Sequence, residues 1–149
     1  MFALEPLAVG QRILQFIGPL CGREDVVRAQ AAGVGDGFLQ IARDQFYALS
    51  GGPDDFVNHS CAPNAYIRFD HDGVFLVARE AIDAGAELYF DYGVTQIDFP
   101  FRFDCLCGTP RCRGPIGNCD ELPAATLAEY RAAGMVPTYI EAELRRLGR

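Results

Sequence analysis

Lysine is absent from this 149-residue chain: all 13 basic residues are arginine, set against 20 Asp and Glu for a formal net charge of −7. Lysine codons are A-rich, so a GC-rich genome accounts for the absence. Its chemical consequence is that any reaction on lysine amines must be aimed at another molecule. Also missing is an apolar run near the roughly 20 residues that a membrane helix requires. The N-terminus lacks a basic stretch followed by an apolar one. Together these absences predict a soluble, cytoplasmic protein with no membrane partner. The acidic balance repels phosphate backbones and disfavours direct nucleic-acid binding, while it favours a basic partner such as a Lys/Arg-rich protein tail. Solubility alone accounts for the same charge. With half of its residues apolar, the chain has enough material for the core of one domain.

The six cysteines are Cys21, Cys61, Cys105, Cys107, Cys112 and Cys119. In a secreted chain an even count would suggest disulfides. Here Cys105, Cys107 and Cys112 crowd together with no export signal ahead of them, a pattern that more often holds zinc in a reducing compartment. Spacing alone makes Cys119 the fourth ligand of a free-standing knuckle; a set of buried thiols is the bland alternative. Cys21 reads as an ordinary buried thiol.

The middle of the chain reads as short strands joined by turns. Arg12 to Ile17 form an apolar strand predicted to be buried on both faces, ended by Gly18-Pro19. Small residues and glycines from Ala29 to Gly37 predict a loop, Phe38 to Ile41 a short strand, and Ser50-Gly51-Gly52-Pro53 a break. Pro63-Asn64 reads as the shaper of a turn. Tyr66 to Phe69 and Val74 to Val77 frame Asp70-His71-Asp72-Gly73, a hairpin signature that leaves His71 in solvent. Toward the end, Pro123 can open a helix capped at Gly134, and Thr138-x-x-Glu141 has capping-box spacing for a second helix ending near Gly148. These helices are expected to pad the core, without chemistry.

Three stretches carry the functional signal: Asn58-His59-Ser60-Cys61-Ala62-Pro63-Asn64, Glu87-Leu88-Tyr89-Phe90-Asp91-Tyr92-Gly93, and Cys105-Leu106-Cys107-Gly108-Thr109-Pro110-Arg111-Cys112-Arg113-Gly114. In this order they resemble the SET-domain protein lysine methyltransferases with their cysteine-rich post-SET segment, and the likeness runs from about Phe2 to Gly114. Small bacterial-type SET proteins share the Leu122-Pro123 and Val136-Pro137 tail as well. The resemblance implies a mainly β, β-clip-like fold of several small sheets with a pseudoknot and C-terminal helices. It divides the chain into a SET domain over 1–100, a zinc segment over 101–117 and a helical extension over 118–149.

The same resemblance implies a reaction and its residues. S-adenosylmethionine is the methyl donor, and the acceptor is a lysine of a basic protein. Tyr92 matches the tyrosine whose hydroxyl stands at the methyl-transfer pore; taken alone it reads as a buried tyrosine with one satisfied hydroxyl. Asn58 and His59 match donor contacts, with a general base or metal ligand as the other readings of His59. Phe90 matches the position that sets how many methyl groups fit, and Phe there implies di- or trimethylation. Phe103 and Leu106 are candidates to cover the adenine, which core packing explains equally well. Cys61 joins Cys105, Cys107 and Cys112 on one closed, structural zinc ion.

Two departures stand out. The family opens with Gly-x-Gly, an apolar residue, Phe and Ala, whereas this chain begins Met1-Phe2-Ala3; the expectation is a true start upstream. Where many members carry Arg-Phe-Ile before the Asn-His pair, this chain has Asp55-Phe56-Val57. Retention of Tyr92, Asn58 and His59 favours an enzyme, while loss of Gly-x-Gly favours a rival: a non-catalytic, zinc-stabilised protein-binding module.

Overall fold

The structure is a computed structural model and describes residues 1–33 and 37–149. Among the described residues, ten short strands form four small sheets, joined by three α-helices. Strand β1 (Arg12–Phe16) pairs with β7 (Gly73–Ala78), which pairs with β6 (Ala65–Asp70). Strands β2 (Leu20–Gly22), β4 (Gln45–Ala48) and β3 (Phe38–Ala42) make a second sheet in that spatial order. Strand β5 (Asn58–His59) lies parallel to β8 (Tyr89–Phe90), and β9 (Phe103–Asp104) antiparallel to β10 (Pro115–Ile116).

Sequence periodicity explains the central hairpin. Ala65 and Ile67 of β6 point into the core while Tyr66 and Arg68 are half-exposed, the period-2 pattern of a strand with one buried face. Strand β7, flanked on both sides, is buried from Val74 through Ala78. Asp70 faces Gly73 across a two-residue turn, and Gly73 takes the positive φ (150°) that closes it. The turn exposes His71 as expected.

The expectation of a doubly buried first strand is corrected. β1 sits at the edge of its sheet; only Phe16 is buried, and Ile17 beyond it is exposed. An isolated apolar run cannot reveal which strand will be flanked. The expected loop over 29–37 is corrected in part as well: Ala29 to Ala31 are the last turn of α1 (Arg23–Ala31), and residues 34–36 lie outside the described residues. Helix α1 buries Val26 alone, so it leaves little 3.6-residue periodicity to read. Asp25 accepts the Gly22 amide at 3.0 Å at its start.

Helices α2 (Ala124–Ala132) and α3 (Thr138–Arg146) follow their predicted Pro and Gly signals, with Gly134 and Gly148 at positive φ (67° and 75°). Thr138 is the first helical residue of α3 and does not cap it; Pro137 holds the cap position with no side-chain bond. The helices bury Leu127, Tyr130, Ile140 and Leu144 against Val94, Ile97, Cys119 and Leu122. Val94 and Ile97 closely follow Tyr92, so this second core lies behind the segment that bears the candidate catalytic residue. Among the described residues no helix is long and apolar enough to cross a membrane.

Candidate functional site

The parallel pair β5–β8 brings together stretches thirty residues apart, with Asn58 opposite Tyr89 and His59 opposite Phe90. The chain then turns at Asp91 and presents Tyr92. The Tyr92 amide donates to His59 Nδ1 at 3.1 Å, which makes Nδ1 an acceptor and leaves the ring proton on Nε2, 3.4 Å from Cys61 Sγ. Burial lowers the His59 pKa, with Arg113 adding to it and Asp91 opposing, so the ring is held neutral. The Tyr92 hydroxyl donates to the Val57 carbonyl at 2.6 Å, and burial pushes its pKa up to about 12. It remains protonated at neutral pH.

Two cavities border this tyrosine. The larger, about 710 Å³, is lined by Asn58, His59, Glu87, Phe103 and Leu106 among others. The smaller, about 110 Å³, is walled by Phe16, Tyr47, Val57, Phe90 and Phe101, with Asp54 and Asp55 also on its lining. Among the described residues Tyr92 alone lines both. The residues singled out in the sequence therefore sort cleanly: Asn58, His59, Phe103 and Leu106 on the larger cavity, Phe90 on the smaller, Tyr92 on each. Phe90 lies tilted against Tyr92, 4.7 Å between ring centroids, and Phe103 lies edge-on to His59 at 5.2 Å. Leu106, also on the lining of the larger cavity, is an apolar side chain that is 94% exposed.

Polar groups that the sequence did not single out organise the rim. Glu87 accepts from Asn58 Nδ2 at 2.8 Å and from the Tyr89 hydroxyl at 2.5 Å, and these bonds, that of Tyr89 first, lower its pKa. Asn64, expected only to shape a turn, donates to the Glu87 carbonyl and accepts the Tyr89 amide, at 2.8 and 2.9 Å. Asp55, one of the departures from the family pattern, acts locally. Its carboxylate takes the amides of Ser50 and Gly51 at 3.0 and 2.8 Å, closing the loop ahead of the Asn-His strand.

The sulfur atoms of Cys61, Cys105, Cys107 and Cys112 all lie within 4.8 Å of one another. Cys61 and Cys105 are 3.7 Å apart, near the roughly 3.8 Å edge of a tetrahedron with Zn–S bonds of ~2.3 Å. All six cysteines are free thiols. Burial raises the Cys61 thiol and pushes Cys105 up to about 12. Burial opposes ionisation of Cys107 too, but hydrogen bonds from Thr109 and the neighbouring cysteines outweigh it and bring that thiol down to about 5. A donor set of four clustered sulfurs, one readily ionised, fits a metal ion. Cys119 is far from this role, sealed in the helical core, and Cys21 donates to the Phe46 carbonyl at 3.5 Å.

A buried carboxylate links the two centres. Asp91, fully buried, receives Arg113 Nη1 and Nη2 at 2.7 and 2.8 Å, the Tyr130 hydroxyl at 2.9 Å and the Gly93 amide at 3.1 Å. Desolvation alone would lower the Arg113 pKa, but its bonds to Asp91 raise it, so the guanidinium stays charged.

A family model described as the SET domain matches residues 1–93, which include the first two of the three stretches and end beside Tyr92. The chain belongs to the SET-domain family. Among curated proteins, the SET chain is 27% identical over 132 residues to histone-lysine N-methyltransferase ATX2 of Arabidopsis thaliana, covering 80% of this chain and 12% of that protein. It is 30% identical over 129 residues to histone-lysine N-methyltransferase ash1 of Drosophila melanogaster, covering 76% of this chain and 6% of that protein. The SET chain thus spans about a tenth or less of the length of these relatives. Asp91 and Arg113 lie inside the motif stretches, yet nothing in the SET motif as a string of letters tells that they meet. Tyr130 carried no signal beyond its place on an apolar helix face.

Proposed function

We propose that this chain transfers a methyl group from S-adenosylmethionine to a lysine side chain of a basic protein, with a structural zinc ion on Cys61, Cys105, Cys107 and Cys112. The reading rests above all on Tyr92, the one described wall residue common to a large cavity of mixed polarity and a small, mainly apolar one. The larger cavity has the volume of a small-molecule site, within the usual ~300–1,000 Å³. Asn58, His59 and Phe103 would hold the donor there, with Leu106 closing over it. We assign residues 1–100 to the SET unit, 101–117 to the zinc segment and 118–149 to the helical extension.

When bound, S-adenosylmethionine supplies a methyl group on a positively charged sulfur. The acceptor amine must be uncharged to attack, and a free lysine, with pKa ~10.4, is not. The apolar walls of the smaller cavity, Phe16, Phe90, Phe101 and Val57, desolvate an entering side chain and disfavour its ammonium form, while Asp54 and Asp55 on the same lining oppose this by attracting the cation. Tyr92 keeps its proton and holds it toward the Val57 carbonyl, so its oxygen lone pairs are free to orient a polarised methyl group. Much of the remaining rate comes from alignment of the two reactants at Tyr92.

Tyr92→Phe tests the role of that hydroxyl. Donor binding by calorimetry is expected to survive, while turnover falls at least tens of fold, more than ~2 kcal/mol of barrier. Unchanged turnover would remove Tyr92 from the chemistry. Incubation with labelled donor and a panel of basic proteins tests the acceptor. Because the chain has no lysine, label on the chain itself would contradict lysine specificity. Absence of donor binding would leave the binding-module reading.

A further inference from the structure

We infer that Tyr130 of α2 is a positioning residue: its hydroxyl, together with Arg113, orients the Asp91 carboxylate that fixes the backbone bearing Tyr92. The C-terminal helices then act on the site and do more than fill the core. Only the kinetic part of the test depends on the methyl-transfer reading.

A carboxylate offers about four lone-pair sites. At Asp91 four donors use them, and they come from three parts of the chain: Gly93 in its own turn, Arg113 in the cysteine segment, and Tyr130 in α2. No water-facing surface remains on Asp91, so a lost donor cannot be replaced by solvent. Asp91 Oδ1 anchors Gly93, and Tyr92 lies between these two residues. A rotation of the carboxylate therefore moves the backbone on both sides of Tyr92. His59 Nδ1 stands 3.6 Å from the same oxygen, and the Tyr92 amide bonds to that nitrogen.

The helix grips the cysteine segment a second time. Glu129, the preceding residue, pairs with Arg79 at the end of β7 and with Arg111 at 2.5 Å. Successive residues of α2 thus hold two arginines that flank Cys112, one directly and one through Asp91. Filling the core would need only the aromatic ring. Tyr130 is fully buried among Leu127, Met135 and Ile140, where a phenylalanine would occupy the same space. The hydroxyl's own bond is to Asp91.

Tyr130→Phe removes that hydroxyl and keeps the ring, and Leu127→Ala weakens the same helix without touching Asp91. Hydrogen exchange on the full chain separates the two effects. In Tyr130→Phe, amides over 91–95 and 103–116 are expected to exchange about tenfold faster while the β6–β7 hairpin keeps its rate. In Leu127→Ala the change is expected within α2 and α3. In the kinetic arm Tyr130→Phe lowers kcat by about tenfold, with a smaller change in peptide KM, as misplacement of a reacting group does. Exchange that rises uniformly, or equally in both variants at 91–95, would overturn the inference. If the native chain binds no donor, the methyl-transfer reading fails, and the exchange pattern still decides the role of Tyr130.

Discussion

Replacement of Arg113 by alanine is expected to destabilise the protein by ~3–5 kcal/mol, because it strands a buried carboxylate without its counter-charge. Asp91 has no exposed surface and Arg113 little, so water cannot take over the lost bonds. For a chain of this length ~1 kcal/mol moves the melting temperature by roughly 2–4 °C, so a drop on the order of 10 °C is anticipated. The control is Asp91→Asn in the Arg113→Ala background. Removing the stranded charge should recover a large part of the loss, a coupling of more than ~1 kcal/mol in a double-mutant cycle. A loss below ~1 kcal/mol in the single variant, the value of an exposed ion pair, would contradict the burial of this pair.

Metal removal is the second large effect. One zinc per chain is expected by elemental analysis. Stripping it with a chelator should unfold the segment over 101–117 and weaken donor binding by at least about tenfold, since a structural zinc contributes folding free energy directly, on the order of 10 kcal/mol in small zinc modules. The reach from metal to donor follows from shared walls: Cys105 and Cys107 line the same cavity as Asn58 and Phe103. The Arg113 amide also donates to Cys61 Sγ at 3.4 Å, tying the cluster to the Asp91 node. Cys61→Ser should lose the metal and Cys119→Ser should keep it. Full donor affinity in the metal-stripped protein would refute the coupling, and metal loss in Cys119→Ser would refute the ligand set.

Local features of the fold were legible where the physics is local. The β6–β7 hairpin declares itself through alternation in β6, a short apolar run in β7 and a turn glycine, and α2 and α3 through Pro and Gly at their ends. Properties set by neighbours were not legible. Nothing in Arg12 to Phe16 says that its strand will lie at a sheet edge, and α1 buries too little to show a stripe. The same division holds at the site. Spacing favoured Cys119 beside the cysteine cluster, and only family resemblance pointed to Cys61, whose sulfur meets that of Cys105 across 44 positions. The bond between Tyr130 and Asp91 spans 39 positions and depends on a hydroxyl that helix periodicity treats as incidental. Which buried polar groups pair depends on how the apolar cores dock, so such pairs leave no trace in the linear pattern.

Among the described residues, Tyr92 is the one that borders both cavities. A compound with two arms, one shaped for the roomy chamber of mixed polarity and one for the slender greasy one, would occupy both while surrendering its rotational and translational freedom once instead of twice. Joined inhibitors of that kind should therefore exceed either half in affinity by far more than their added contact area suggests, provided that the tether is thin enough to pass the tyrosine.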